Sequence, residues 1–307
     1  MEKRDGEQCT ITGAELDRYV KLIRESSGVL TPLPVTLSPE WESLVPKDNA
    51  FLKGIRAVLF DLYGTLFVSA AGEILPGAAE AAGAAETAEM EEYFQAAVKR
   101  WHGRAKAEGV SWPEVRVEEI WAGYGGKVPA GWKLPLQEPM RPGELALRFE
   151  LALNPVYPMP RAKETLCSLV SGGLKLGIIS NAQFYSPLLF NAFFEASPAE
   201  IGFDPELLIY SFQEGEAKPS PRLFSGARER LAGRHISPGE TFYIGNDMRN
   251  DIIPAAWAGF VTALFAGDSR SLRLRRDDPA CAGVKPDLVL KDLSCVKPFK
   301  TDNNTNG

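Results

Sequence analysis

Short apolar runs recur along this chain, each ended by a polar or turn-forming residue, and their spacing predicts the fold. The first, Arg56-Ala-Val-Leu-Phe-Asp61, is hydrophobic without a break until Asp61 and the turn-prone Gly64. A continuous apolar run this short predicts a strand buried on both faces, as in a parallel sheet. Comparable runs follow at residues 174–180, 207–211, 241–244, 261–265 and 287–290, with helical periodicity between most of them. Strands alternating with helices predict an α/β fold, a doubly wound, Rossmann-like and mostly parallel sheet. In such sheets active-site residues gather at the carboxyl ends of the strands.

Two regions depart from the alternation. Residues 69–155 contain an alanine- and glutamate-rich stretch and then glycine- and tryptophan-bearing segments, which predicts a small helical insertion. The prolines at 155, 158 and 160 mark the return to the main domain. Residues 1–54 form an N-terminal extension, with an amphipathic helix expected over 14–26. Its prolines at 32, 34, 39 and 46 favour an extended path over the surface. The core domain is expected from 55–68 and 156–297, and the tail 298–307 is expected to be disordered.

Composition narrows the chemistry. Of 307 residues, 40 are acidic and 34 basic, a formal charge of −6, which argues against a nucleic-acid partner because such binding needs a basic face. Only two histidines are present, His102 and His235; a multi-histidine metal site is excluded and a Ser-His-acid triad has almost no raw material. The chemistry is therefore expected to run on carboxylates. Cys9, Cys167, Cys281 and Cys295 contain no CxxC pair, and reduced, mostly buried thiols are expected. No window approaches 18 apolar residues and the polar N-terminus has no secretory pattern, so a cytoplasmic location without a membrane partner is expected.

Four strand-end segments carry chemistry. Asp61, at the end of the first strand, could attack an electrophile, with Gly64 allowing a sharp turn and Thr65 free to hold an anion, or could simply end the strand and start a turn. Ser180 and Asn181 end the second run with two hydrogen-bonding side chains suited to a phosphate or carboxylate oxygen, or to an ordinary turn. Lys218-Pro219 lies in a proline-fixed loop, where the ammonium could neutralise a transferring group or sit on the surface. In Gly245-Asn246-Asp247-Met-Arg-Asn250-Asp251, two carboxylates lie close together, a costly arrangement unless a metal, a lysine or a helix N-terminus balances them. Magnesium prefers oxygen ligands of this kind.

In this order and strand context, Asp61 with Gly64-Thr65, Ser180, Lys218-Pro219 and the Gly245 to Asp251 cluster resemble the haloacid dehalogenase superfamily over roughly residues 56–265. The resemblance implies a Rossmann-like hydrolase core and makes the insertion a helical cap. It implies Asp61 as nucleophile, Lys218 as its neutralising partner, and Thr65, Ser180 and Asn181 as substrate-holding groups. It further implies magnesium held by Asp61, Tyr63 and Asp247 and supported by Asn246 and Asp251. The implied activity is a phosphatase acting on a small phosphorylated metabolite through an aspartyl-phosphate intermediate.

Two positions depart from that pattern. Superfamily phosphatases usually carry a second aspartate two residues after the nucleophile, where this chain has Tyr63. Tyrosine there is similar to the 2-haloacid dehalogenases, whose aspartate attacks carbon and displaces halide without a metal. Asn246 stands at a usual metal-ligand position, with Asp247 immediately after it expected to take over, or Asn246 to ligate through its amide oxygen. A catalytically weak binding protein on the same scaffold is the third alternative. The aromatic residues of the insertion, including Trp101, Trp112, Trp121 and Trp132, are expected to form its own small core, and Lys99, Arg100 and Arg104 a solvated helix face. The cluster Arg270, Arg273, Arg275 and Arg276 is expected to be an exposed loop or helix.

Overall fold

The apolar runs assemble into one sheet because each is too hydrophobic to leave either face in water. The computed structural model describes residues 12–71, 77–82, 84–132 and 140–299. In chain order the strands are β1 (Ala57–Phe60), β2 (Phe67–Ser69), β3 (Val156–Pro158), β4 (Lys175–Ser180), β5 (Phe203–Tyr210), β6 (Thr241–Gly245), β7 (Val261–Phe265) and β8 (Leu288–Leu290). Six of them form the main sheet in the order β5-β4-β1-β6-β7-β8, with every neighbouring pair parallel. Numbered among themselves these strands run 3-2-1-4-5-6, the order in which the chain reverses direction across the sheet between β1 and β6. The loops leaving those two strands therefore diverge, and the crevice between them is where Asp61 and Asn246 emerge.

β5 begins earlier than the expected 207–211 because Phe203 already pairs with Leu176, the register shifting before Ile178 meets Leu208. β2 and β3 form a separate antiparallel pair, Phe67 opposite Pro158 and Ser69 opposite Val156. This ribbon is the stem through which the insertion leaves and re-enters the core.

The longer helices in chain order are α1 (Gly13–Ser26), α2 (Ala88–Ala107), α3 (Val117–Ala122), α4 (Pro142–Leu153), α5 (Ala162–Ser171), α6 (Leu188–Phe194) and α7 (Pro221–Ala232). In the insertion, Trp121 is buried and packs between Phe94, nearly parallel at 5.7 Å, and Phe149 at 4.8 Å. Trp112 departs from the expected aromatic core: it is exposed, with the Arg249 guanidinium 5.5 Å over its ring. Lys99, Arg100 and Arg104 are exposed, as their spacing predicts.

The N-terminal extension is more than a surface path. α1 starts with a capping box between Thr12 and Glu15 and buries Tyr19, Leu22 and Ile23 against α4 and α6. Full burial of a side chain such as Ile23 is worth about 1.5–3 kcal/mol. Arg18 adds a 2.6 Å ion pair to the buried Glu144 of α4, which Arg148 also holds at 2.8 Å. Further on, Val35, Leu37, Trp41, Leu44 and Val45 pack against the cluster of Met248, Ile252 and Leu264. Cys281 is buried, whereas Cys167 and Cys295 are exposed thiols, contrary to the expected burial. Of the tail 298–307, only Pro298 and Phe299 lie among the described residues; Cys9 lies outside them. No helix among the described residues is long and apolar enough to cross a membrane.

Candidate active site

β1 ends in Asp61, whose amide donates to Ile244 O of β6 at 2.9 Å, so the ladder fixes the backbone up to the residue itself. Its carboxylate is buried and one oxygen, Oδ1, accepts from Ser180 Oγ at 2.8 Å and Lys218 Nζ at 2.7 Å. Lys218 divides its charge, reaching Asp251 Oδ1 at 2.6 Å. Burial would push this lysine down, but the charges of Asp251 and Asp61 more than offset it and hold the ammonium above its usual range. Asp251 is pushed up to about 6, by burial first, against the pull of Lys218. The Tyr243 hydroxyl, on β6 beneath the pair, donates to Asp251 Oδ1 at 2.8 Å.

Asn181 positions the lysine loop. Its Oδ1 accepts from the Lys218 amide at 2.6 Å and its Nδ2 donates to Lys218 O at 3.3 Å, beside the cis Lys218-Pro219 bond. Thr65, wholly buried on the turn after Asp61, has a hydroxyl without a hydrogen-bond partner. That turn depends on Gly64, at φ +81°, where a Cβ would lie 2.5 Å from both Asn246 Nδ2 and Ser271 Cβ.

The segment after β6 departs from expectation. Asp251 packs against Gly245, where a Cβ would sit 2.4 Å from its Cγ, and Asp251 Oδ2 accepts the Asp247 amide at 3.0 Å. Asp247 itself caps the following helical turn: Oδ1 accepts the amides of Arg249 and Asn250, and Oδ2 accepts from Asn250 Nδ2 at 3.1 Å and Arg275 Nη2 at 2.7 Å. Asn246 donates through Nδ2 to Ser271 O at 2.6 Å, leaving its amide oxygen on the other side.

These residues share a cavity of about 430 Å³. The core supplies its floor, with Asp61, Asn181, Lys218, Asn246 and Asp251. The insertion supplies a wall containing Glu114, Glu150 and His102. Backbone pairing ties that wall to the lysine loop, Glu114 N to Gly215 O at 3.1 Å and Ala217 N to Trp112 O at 2.8 Å. Glu114 accepts from Ser211 Oγ at 2.6 Å and Gln183 Nε2 at 3.3 Å; Glu150 is bonded to Asn154 Nδ2 at 3.3 Å and to Tyr185. Burial raises both glutamates above the ordinary carboxylate range and lowers His102, with Lys106 adding to the latter. Tyr63 donates to or accepts from Ser186 Oγ at 2.8 Å, and burial pushes its phenol far up, so it stays neutral.

The family model for haloacid dehalogenase-like hydrolases matches residues 55–259. The chain belongs to this family of hydrolases. No curated protein matches it. Similar solved structures include the L-2-haloacid dehalogenase of Xanthobacter autotrophicus, 19% identical over 78% of this chain and 95% of that chain with a TM-score of 0.47. A phosphatase from Thermococcus onnurineus is 19% identical over 78% and 95%, TM-score 0.43. A predicted phosphoglycolate phosphatase from Haemophilus somnus is 20% identical over 78% and 96%, TM-score 0.42.

For this hydrolase, the structure brings Asp61, Ser180, Asn181, Lys218, Asn246, Asp247 and Asp251 around one crevice. Asp247 lines this cavity while its oxygens also accept from the helix cap and from Arg275. Among the described residues no three Asp, Glu, His or Cys side chains converge as a ligand set. Asp61, Tyr63, Asn246 and Asp247 all line the cavity and carry oxygens of the kind a hard cation such as magnesium would take, since it needs few protein oxygens and keeps waters. The sequence reading missed Tyr243, Glu114, Glu150 and Ser271. A tyrosine in the otherwise apolar run 242–244 was the one available signal; the other three have none. The arginine cluster also needs correction: Arg273 and Arg275 line the cavity, and Arg270 is held by Asp268 and Thr31 O.

Proposed function

We propose that this hydrolase cleaves small phosphomonoesters, with Asp61 as nucleophile. The observation that carries the reading is the polar surround of Asp61: Lys218, Asn181 and Ser271 line the same cavity, side chains with donors suited to a phosphoryl group that presents three accepting oxygens. Ser180 and Lys218 both hold Oδ1 of Asp61, which leaves Oδ2 to attack phosphorus in line with the departing oxygen. The P–O bond to the leaving group breaks, an aspartyl phosphate forms, and water then hydrolyses it to release phosphate and restore Asp61. Asp61, the Tyr63 carbonyl and Asn246 would hold magnesium, which would supply charge neutralisation for the phosphoryl oxygens. Tyr63 is no carboxylate substitute; Glu150 and Glu114, both kept protonated to higher pH than an ordinary glutamate, are the cavity's sources of a proton for the leaving oxygen. The helical insertion acts as a cap that selects the organic part of the substrate.

Purified protein with magnesium and an aryl phosphate is expected to release phosphate, and Asp61→Asn to lose at least about a thousandfold. Absence of turnover on every phosphate ester tried would overturn the reading. Tyr63 favours a second reading, hydrolysis of a carbon–halogen bond by the same aspartate. Halide release from 2-haloacids without metal, with no phosphate release, would establish that alternative instead.

A further inference from the structure

The turn after β7 belongs to none of the four motif segments, yet it reaches the cavity. Ser271 is 1% exposed, lines the cavity, and its hydroxyl has no hydrogen-bond partner. A buried hydroxyl left unpaired is costly, and native structures keep few of them. This one is also held firmly in place. Its carbonyl accepts from Asn246, its amide donates to Asp268 O at 3.2 Å, and its Cβ abuts Gly64 on the turn that follows Asp61. Gly64 is thus required twice, for its positive φ and for the close approach of Ser271.

Charge points the same way. Arg273 and Arg275, two to four residues beyond Ser271, line the cavity, and Asp247 anchors the Arg275 guanidinium at 2.7 Å. An arginine fixed by a carboxylate is a pre-oriented positive group that pays little entropy when an anion arrives.

We propose that the Ser271 to Arg275 turn is a further anion-holding arm of the site, in which the Ser271 hydroxyl donates to a phosphoryl oxygen of the substrate and the two arginines flank it at the cavity wall. The proposal rests on the phosphomonoester reading. It explains why a hydroxyl is retained at a position where alanine would fill the same space without an unpaired group.

The test uses the full chain and inorganic phosphate as probe, with binding measured by titration calorimetry and stability by thermal unfolding, each with and without magnesium. Ser271→Ala is expected to weaken phosphate binding about tenfold, the worth of one hydrogen bond to a charged acceptor. The same variant, without phosphate, is expected to melt at or above the wild-type temperature, because it deletes an unpaired group. Ser271→Cys, close in size but a weak donor, is expected to fall between alanine and wild type in affinity. Equal phosphate affinity in wild type and Ser271→Ala would overturn the proposal and leave the phosphatase reading standing. A lower melting temperature of Ser271→Ala without phosphate would also overturn it, since the hydroxyl would then have a structural partner. If wild type releases phosphate from no ester and binds none, the phosphatase reading itself fails and the proposal falls with it.

Discussion

The floor and the wall of the cavity are built on different physics. On the floor, Asp61, Lys218 and Asp251 are almost wholly buried, come from three separate strand ends, and neutralise one another through ion pairs of 2.6 and 2.7 Å. On the wall, Glu114 and Glu150 come from the insertion, have no ion pair to a cation among the described contacts, and are satisfied by neutral donors such as Ser211, Gln183 and Asn154. The floor therefore depends on charge balance and tolerates no single deletion. The wall depends on desolvation, and its carboxyls respond to pH and to what enters the cavity.

Removing the shared lysine breaks the floor most severely. Lys218→Met leaves two buried carboxylates without their cation and is expected to cost about 3–5 kcal/mol, read as a fall in the urea midpoint near pH 7.5. A loss within about 0.5 kcal/mol would mean that the floor behaves like the wall, its charges hydrated or protonated. Activity is expected to disappear with it, because Asp61 loses its cation and one of the two groups that hold its Oδ1.

Tyr243→Phe probes the same floor more gently. Its wholly buried hydroxyl donates to Asp251 Oδ1 at 2.8 Å, and its loss is expected to cost about 1–2 kcal/mol. The difference from an equivalent change on the wall, Tyr185→Phe at the Glu150 carboxyl, shows whether an ionic acceptor makes the floor bond the stronger one.

The two regions also differed in how far the chain could be read before folding. The floor was legible because strand ends are short-range features: a buried apolar run places the next polar residue at the sheet edge, so Asp61, Ser180 and Asn246 followed directly from pattern. Lys218 required motif order, since nothing local says that a lysine between Ala217 and Pro219 is buried. The six parallel strands were likewise legible, while the early start of β5 depended on a register shift that only pairing reveals. The wall was not legible. Helix periodicity in α4 identifies an apolar face, but whether half-buried Glu150 turns toward solvent or the cavity is decided by how the insertion docks. Asp247 shows a third case, where the residue was found and its partner was not. Arg275 is 28 positions away on a turn that reads as exposed.

Glu150→Gln sharpens the contrast through pH. Burial raises the folded-state pKa of Glu150 above the ordinary 4.5, so the folded protein holds this proton where the unfolded chain has released it. Stability from this site is then greatest at low pH and falls as pH rises from about the unfolded value through the raised one. Glutamine carries no such proton. Relative to wild type, Glu150→Gln is expected to gain stability steadily as pH is raised from 4.5 to 8 in denaturant titrations. A pH-independent difference would place the Glu150 carboxyl in contact with water and remove the distinction drawn for the wall.

The smallest effect concerns the place where the two regions touch. Arg249, from the turn after β6, lies 5.5 Å over the ring of Trp112 on the insertion, and its Nη1 also pairs with Asp278 at 2.5 Å. Trp112 is 38% exposed, so the cation and ring are only partly desolvated and their coupling is expected to be about 0.5–1 kcal/mol. Single substitutions cannot isolate it, because Arg249→Met also breaks the Asp278 pair and Trp112→Leu also removes apolar area. A double-mutant cycle combining the two cancels those separate losses. Coupling near zero would leave the attachment of wall to floor to the backbone pairing of 112–114 with 215–217 and to the bonds of Glu114 with Ser211 and Gln183, and coupling well above 1 kcal/mol would make this contact a principal support of the wall.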